Sequence, residues 1–590
     1  MAWDSLTYHL FRPARWIQAG EIAAIAAPDA LGYYEYFPVT GEIIWAYAML
    51  TTRTDMYVAI AGLLVWCNCL IATYSSARIL SADKIPAFLA SMVVCLAAPV
   101  LEYMTSGYVA SVSLAIFLLH FVFVIQTIRT GSPAMAVFSA AALGLLLGVK
   151  WTYVPIVAVS LSVLMWTILR RASALRWQMR GLILVLMLLA MSPGLLGYLH
   201  AWTDTGSPLY PLSLKIGDKT LLEGNEEVQL QLTGALFPET QFNRTRVLRA
   251  FFHPLAYRRF HLGFGPVAPF IILLGFFSGI SCYFRHMQVR PGILYLFAVI
   301  FLIVWLSVSQ NGRGLWINYP AQLPRLIFPV YATMTLFAAA ANGRLTTVTL
   351  GLATVVALAL AIPRSWATID MLAVSLLLAY ATPLFAIALL CTWWFCKKRC
   401  FRLAGLAVLV PSLLISPILT EIRQRFKYAY YESASKGEVF DVHPLAIEPV
   451  SCWPIWKFLD DQSGQYIAVT AGWDEGTNNW YCYPLLGKRY QHKVSYIPIT
   501  VDGSIIDYRL SEELLAEADF LSWLKRLIAE RVDYVVSLPP TTLEARWMAR
   551  YPCAFVPVEL VQSCSGRLYR LNHAEASTLW QAMAVSDCLS

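Results

Sequence analysis

Gly181-Leu-Ile-Leu-Val-Leu-Met-Leu-Leu-Ala-Met-Ser-Pro-Gly-Leu-Leu-Gly-Tyr-Leu199 runs nineteen residues without a charge. A helix of that length rises about 28 Å, close to the thickness of a bilayer's hydrocarbon core. Similar runs recur on both sides of it, near 56–77, 85–101, 108–127, 134–149, 151–169, 264–284, 292–308, 325–342, 346–362, 371–396 and 403–420. Together they make about twelve candidate spans. The run 134–149 is short and reads as tilted or re-entrant. With 58% hydrophobic and 14% charged residues over 590, the chain is expected to be a polytopic α-helical membrane protein.

Lys and Arg sort by loop. Fourteen fall on one side of the expected spans, among them Arg129, Arg170, Arg171, Lys397 and Lys398. The short loops of the other side hold four: Lys150, Arg313, Arg325 and Arg364. By the positive-inside rule the first segment, the loop at 200–263 and the tail lie outside the cytoplasm. The net charge of +8 is therefore a topology signal and does not indicate nucleic-acid binding. This orientation requires the first span to enter from outside. Either a further helix precedes Met1 or a short N-terminal tail is translocated; the first of these is expected.

Three regions follow: a first loop at 1–55, a multi-span region at 56–420 and a tail of about 170 residues at 421–590. In the tail, short β-type runs at Tyr466, Val532, 555–561 and 566–571 alternate with helical patterns such as 511–530. That alternation predicts an extracytoplasmic α/β domain. It lacks a Gly-rich phosphate loop, and no repeat or low-complexity tract interrupts the chain. Five of the twelve cysteines lie in the tail, where Cys553 and Cys564 are spaced to bridge neighbouring strands. No CxxC or Cys/His metal spacing occurs. Gly472-Trp-Asp-Glu-Gly-Thr-Asn-Asn-Trp480 carries rings and polar groups suited to sugars, or is a plain strand-to-helix loop.

In the first loop, Leu6, Leu10, Trp16 and Ile17 against Arg12 and Arg15 make an amphipathic piece suited to the interface plane. The aromatic stretch 31–45 carries Glu35 and Glu42 and reads as an interfacial belt. Asp4 is a carboxylate at the membrane surface, with Tyr8 and His9 close by. Glu102 closes the expected second span, where an ionisable group is costly enough to be a functional candidate. Lys150 and Arg325 stand on the outer side against the charge trend. Each is either a phosphate-binding group or an interface anchor.

These pieces together resemble the polytopic GT-C superfamily of glycosyltransferases. The likeness is strongest to bacterial members related to the protein mannosyltransferase and aminoarabinose transferase groups. Trp3-Asp4-Ser5-Leu6-Thr7-Tyr8-His9-Leu10 resembles the first-loop aspartate motif, and Thr205-Gly-Ser-Pro-Leu-Tyr-Pro211 a Thr-Gly-Asn-Pro-Leu-(Tyr/Phe)-Pro stretch. Gly148-Val-Lys150 and Pro324-Arg325 through Pro329 resemble further recurring stretches. The resemblance covers roughly residues 1–420. It implies a polyprenyl-phosphate sugar donor, an exported glycan, lipid or protein acceptor, and inversion at the anomeric carbon. Asp4 takes the position of the base. His9, Arg12, Lys150 and Arg325 are the donor-binding candidates. No metal ligand set is read, and a divalent cation stays a candidate cofactor. Family members carry a second acid at the start of the third span; here that region reads Ser106-Gly-Tyr-Val-Ala-Ser111, and Glu102 is the substitute. The implied location is a bacterial inner membrane. Two other classes remain open. A flippase of lipid-linked sugars predicts internal repeats and charges deep in spans, and an envelope assembly protein predicts partner binding by the tail alone.

Overall fold

The computed structural model describes residues 9–22, 36–55, 57–105, 107–171, 177–216, 219–225, 264, 267–285, 290–308, 328–366, 453–470, 482–503, 516–537, 542–560 and 566–587. The chain forms two compact units. One comprises Tyr36–Ile44 and Gly62–Pro363, the other Met1–Glu35, Trp45–Ala61 and Arg364–Ser590.

Helices α1 (Phe11–Ala19), α2 (Thr40–Leu50) and α3 (Val58–Ile79) open the chain. Then come α4 (Lys84–Cys95), α5 (Ala98–Thr105), α6 (Ala110–Thr130), α7 (Pro133–Val149), α8 (Val154–Arg171), α9 (Trp177–Met191) and α10 (Leu196–Thr205). A small hairpin, β1 (Leu214–Ile216) with β2 (Lys219–Leu222), precedes α11 (Ala268–Arg285), α12 (Arg290–Val308), α13 (Phe328–Ala340) and α14 (Arg344–Trp366). Among the described residues, five segments are long and apolar enough to cross a membrane: Ile60–Ile79, Ala110–Thr130, Trp151–Arg170, Trp177–Thr205 and Ala268–Arg285. Shorter apolar helices stand at Lys84–Cys95, Pro133–Val149, Arg290–Phe301, Phe328–Ala340 and Arg344–Ala357. The chain is an integral membrane protein. Helices are the natural solution there, because each satisfies its own backbone where no water can. The expected spans at 371–396 and 403–420 lie outside the described residues.

One expectation is corrected here. The run 85–101 is two helices, α4 and α5, which break at Leu96–Ala97. Pro99 explains the break: it has no N–H to continue α4, and it sits in the first turn of α5, where none is needed. The short run 134–149 is a packed interior helix, since Ala136, Ala140, Leu143, Gly144 and Leu146 of α7 are all buried. It is seated by glycine. A Cβ on Gly194, in the turn between α9 and α10, would overlap the Gly144 carbonyl. Gly275 of α11 likewise meets the Met334 backbone of α13, whose residues are buried all round. At one end of the bundle Asn342 ties two turns together. Its Nδ2 donates to Ser81 O and its Oδ1 accepts from Asp83 N, each at 2.7 Å.

The carboxy-terminal layer is a five-stranded sheet in the order β4-β3-β5-β7-β6, formed by β3 (Tyr466–Val469), β4 (Lys493–Tyr496), β5 (Tyr534–Ser537), β6 (Phe555–Pro557) and β7 (Arg567–Leu571). β3 pairs in parallel with β4 and β5; β7 runs antiparallel to β5 and β6. Helices α15 (Trp453–Asp460), α16 (Phe520–Ala529), α17 (Leu543–Arg550) and α18 (His573–Asp587) accompany it. β3 and β5 are buried throughout, as parallel strands covered on both faces must be. The core joins Trp523, Leu524 and Leu527 of α16 to Val535, Met548, Phe555, Tyr569 and Ala576. Cys482 is a buried thiol that burial pushes up, and Cys553 is a free, exposed one. Cys564 lies outside the described residues.

Candidate active site

In the helical unit the first turn of α2 meets the end of α7. A Cβ on Gly41 would press on Val109 and Val149, and one on Gly148 would overlap Thr40 Oγ1. Such close approach is open only to glycine. It sets Thr40-Gly41-Glu42 beside Gly148-Val149-Lys150. Glu42 is 1% exposed, a carboxylate in the first turn of a helix whose dipole favours negative charge. Lys150 ends α7 in extended conformation: its N–H donates to Leu146 O, and its carbonyl accepts from Tyr153 N. It is half-buried. Burying carboxylates is expensive, so Glu42 is a candidate site residue that the reading of 31–45 as an aromatic belt passed over. Its signal was an acid in the first turn of a helix that starts two residues after Pro38.

Aromatic side chains surround this corner. Phe37 and Trp151 meet edge to face at 4.6 Å; Tyr36 stacks on His200 at 5.7 Å and meets Tyr210 edge-on at 5.0 Å. His200 Nδ1 lies 3.4 Å from Asp204 Oδ2. The Thr205–Pro211 stretch has a plain local reason. Gly206 ends α10 in the left-handed region at φ 75°, donating to Trp202 O, and Ser207 N donates to Thr205 Oγ1 at 3.2 Å.

Glu102 lies on the short helix α5, which packs against α3: a Cβ on Gly62 would overlap the Met104 carbonyl. The expectation that Glu102 ends a span is thereby corrected; the break before Pro99 places it on a separate turn. Its side chain, Asp4, Glu35, Arg325 and the stretch Gly472–Trp480 lie outside the described residues.

In the other unit, His9 and Arg12 are 4% and 2% exposed. This corrects the reading of α1 as a helix lying in the interface plane. Leu10, Phe11, Arg12, Pro13, Ala14, Trp16 and Ile17 are all buried, so no wide polar face is left for headgroups. Arg15 is half-buried and donates through Nη1 to Gln18 Oε1 at 3.2 Å. Among the described residues, no group of three or more His, Cys, Asp or Glu is placed to hold a metal ion.

No protein-family model matches the sequence. No curated protein matches it either. Solved structures do. ArnT from Cupriavidus metallidurans, bound to undecaprenyl phosphate, aligns over 97% of this chain and 94% of its own, with TM-score 0.52 and 14% identity. The chain has the GT-C fold. The apo form of the same protein aligns over 98% and 94%, with TM-score 0.48 and 13% identity. The mycobacterial arabinofuranosyltransferase AftD aligns over 95% of this chain and 37% of its own, with TM-score 0.41 and 14% identity.

Proposed function

We propose that this chain is a membrane glycosyltransferase that moves a sugar from a polyprenyl-phosphate donor to an exported glycan, lipid or protein. The observation that carries the reading is the near full-length likeness to ArnT bound to undecaprenyl phosphate. The buried Glu42 beside Gly148–Lys150 supports it, because a carboxylate and a cation there suit a reaction that removes a proton and leaves a phosphate. Asp4 takes the proton from the acceptor hydroxyl as its oxygen bonds the anomeric carbon. The bond from that carbon to the donor's phosphate oxygen breaks, and the electron pair leaves on the phosphate. Lys150, Arg325, Arg12 and His9 supply positive charge and hydrogen bonds to that leaving group. Glu42 orients the acceptor or the Lys150 ammonium, with Glu102 as the remaining candidate acid. The reaction runs at the extracytoplasmic face of a bacterial inner membrane, with the first loop and the carboxy-terminal domain on that side.

The test is transfer of labelled sugar from polyprenyl-phosphate donors in membranes holding the full chain, Asp4→Asn or Glu42→Gln. Loss of about 10²-fold or more in Asp4→Asn, at equal membrane insertion, is expected. Glu42→Gln should lose at least about tenfold. Full activity in Asp4→Asn removes Asp4 as the base, and no transfer by the unmodified chain across a donor panel removes the reaction. Chelation followed by Mg²⁺ or Mn²⁺ addition tests the candidate divalent cation.

A further inference from the structure

Hydrogen bonds from a side chain of the first helix reach the carboxy-terminal layer. Gln18, in the last turn of α1, donates through Nε2 to Tyr490 O at 2.8 Å and to His492 O at 2.6 Å. These partners are 472 and 474 residues away in sequence. The amide is saturated: both N–H groups are used, and Oε1 accepts from Arg15. Turned over, its oxygen would face two carbonyl oxygens, so the contacts fix its orientation.

The receiving turn is rigid. Gly487 and Tyr490 both sit at positive φ, 78° and 57°. Gln491 holds the turn by donating to Asp460 O and Gln462 O and accepting from Arg489 N. The His492 ring is fully buried; it donates through Nε2 to Leu459 O at 2.8 Å and accepts at Nδ1 from Gln465 N at 3.1 Å. Carbonyls 490 and 492 are thus presented by a turn bolted to α15 and β3.

The buried apolar residues of α1 already favour docking without this clamp. Apolar contact is non-directional and leaves a helix free to slide or roll. Two directional hydrogen bonds at the last turn fix both. Arg12 stands six residues earlier on the same helix, about 9 Å along its axis, so its placement follows that of Gln18.

We propose that Gln18 is a positioning residue through which the carboxy-terminal domain sets the placement of α1, and with it the donor-phosphate groups Arg12 and His9. This rests on the glycosyltransferase reading for its consequence in transfer; the tether itself does not.

The test uses the full-length protein in nanodiscs, as wild type, Gln18→Glu, Gln18→Ala, Gly487→Ala and the double variant Gln18→Ala/Gly487→Ala. Gln18→Glu keeps size and packing but turns a carboxylate oxygen toward two carbonyls. Gly487→Ala disturbs the receiving turn, through its positive φ and the Gln491 side chain. Two readouts are taken. Hydrogen exchange of the α1 amides should speed at least tenfold in each single variant. kcat for transfer should fall about tenfold or more while donor KM moves less than about threefold, because Arg12 and His9 bind the donor phosphate most strongly as charge develops on it in the transition state. The double variant should show no further loss, since both changes cut one link. α1 exchange in Gln18→Glu equal to wild type overturns the tether. Faster exchange with unchanged kcat overturns the positioning role. If wild type transfers nothing, the glycosyltransferase reading fails, and exchange alone then decides the tether.

Discussion

The membrane helices and the carboxy-terminal sheet both bury large rings, but the helices also meet backbone to backbone. Between α7 and the α9–α10 turn, Gly144 and Gly194 bring backbone onto backbone, and Gly62 and Gly275 do the same at two other contacts. In the sheet layer, large rings fill the interior. Rings stack there, Trp523 on Phe555 at 5.5 Å and Phe520 on Tyr551 at 4.7 Å. The solvent explains the difference. Lipid tails are as apolar as leucine, so burying a large apolar side chain between helices gains little, and close approach through small residues gains dispersion. Against water, each buried ring contributes a large transfer free energy. Large apolar residues are accordingly exposed on the membrane helices, Leu188 at 60% and Leu189 at 61%, while Trp523 is at 2%.

Truncating a ring in the sheet layer should have the largest effect. Trp523→Ala removes a side chain packed on Trp547 and Phe555 and should cost about 3–5 kcal/mol. Limited proteolysis across a urea series, on the full-length protein, reads this as an earlier midpoint for the carboxy-terminal fragments. Leu188→Ala, the same kind of truncation on a lipid-facing helix, should leave every midpoint in place. A large effect there would mean that α9 buries Leu188 against another chain.

Adding one methyl group reverses the ranking. Gly194→Ala must push the α9–α10 turn away from the Gly144 carbonyl and should cost about 1–3 kcal/mol. Thermal unfolding in detergent measures it. Gly464→Ala, in the sheet layer, meets nothing within 4 Å and is strained only by its φ of 64°. Equal tolerance at Gly194 and Gly464 would show that α7 is not seated by backbone contact.

The boundary between readable and unreadable features follows sequence distance. Apolar runs such as 181–199 announce themselves, because length and composition are local. The break at Leu96–Ala97 was also written locally, in Pro99, but an unbroken hydropathy run masked it. The strands at Tyr466 and Tyr534 were visible as β-branched and aromatic runs. Glu42 was not, because its burial is tertiary: it sits in the turn where Thr40 meets Gly148, over a hundred positions away. Gln18 looks like any polar residue near a helix end; only Tyr490 and His492 give it a role. The Thr205–Pro211 stretch was recognised by resemblance, and its geometry shows a helix stop.

Buried histidines sharpen the contrast between the two regions. His492 lies outside the membrane-spanning segments. Burial lowers its pKa, opposed by the Leu459 carbonyl and by Asp533. A depressed pKa means that the folded state binds fewer protons than the unfolded one. The stabilising contribution is then full above the ordinary histidine pKa of about 6.5 and is lost as pH falls below it. The slope is at most about 1.4 kcal/mol per pH unit and flattens once the folded-state pKa is passed. The urea midpoint of the carboxy-terminal fragments should therefore fall between pH 7 and 5. In His492→Gln, whose amide can serve both Leu459 O and Gln465 N, this part of the fall should vanish. An unchanged pH profile in that variant would assign the dependence to other groups.

His120 sits among helices instead. Its Nε2 lies 2.8 Å from Tyr295 Oη and its Nδ1 2.8 Å from Ser139 Oγ, and Tyr295 Oη lies 2.6 Å from Ser160 Oγ. One polar chain thus links α6, α7, α8 and α12. In a membrane such links are weak singly, about 0.6 kcal/mol on average and about 1.7 at most, because the separated helices find other partners. His120→Leu should fall in that range: Tyr295 keeps Ser160, and Ser139 can turn to its own helix backbone. Tyr295→Phe should cost more, since it strands the imidazole Nε2 in an apolar interior. Combining the two changes should cost less than their sum, because removing both partners leaves nothing stranded. Thermal unfolding of the four proteins in detergent decides it. A loss in His120→Leu as large as that of Trp523→Ala would mean that the helical unit is held by its polar chain, and that glycine contact only shapes it.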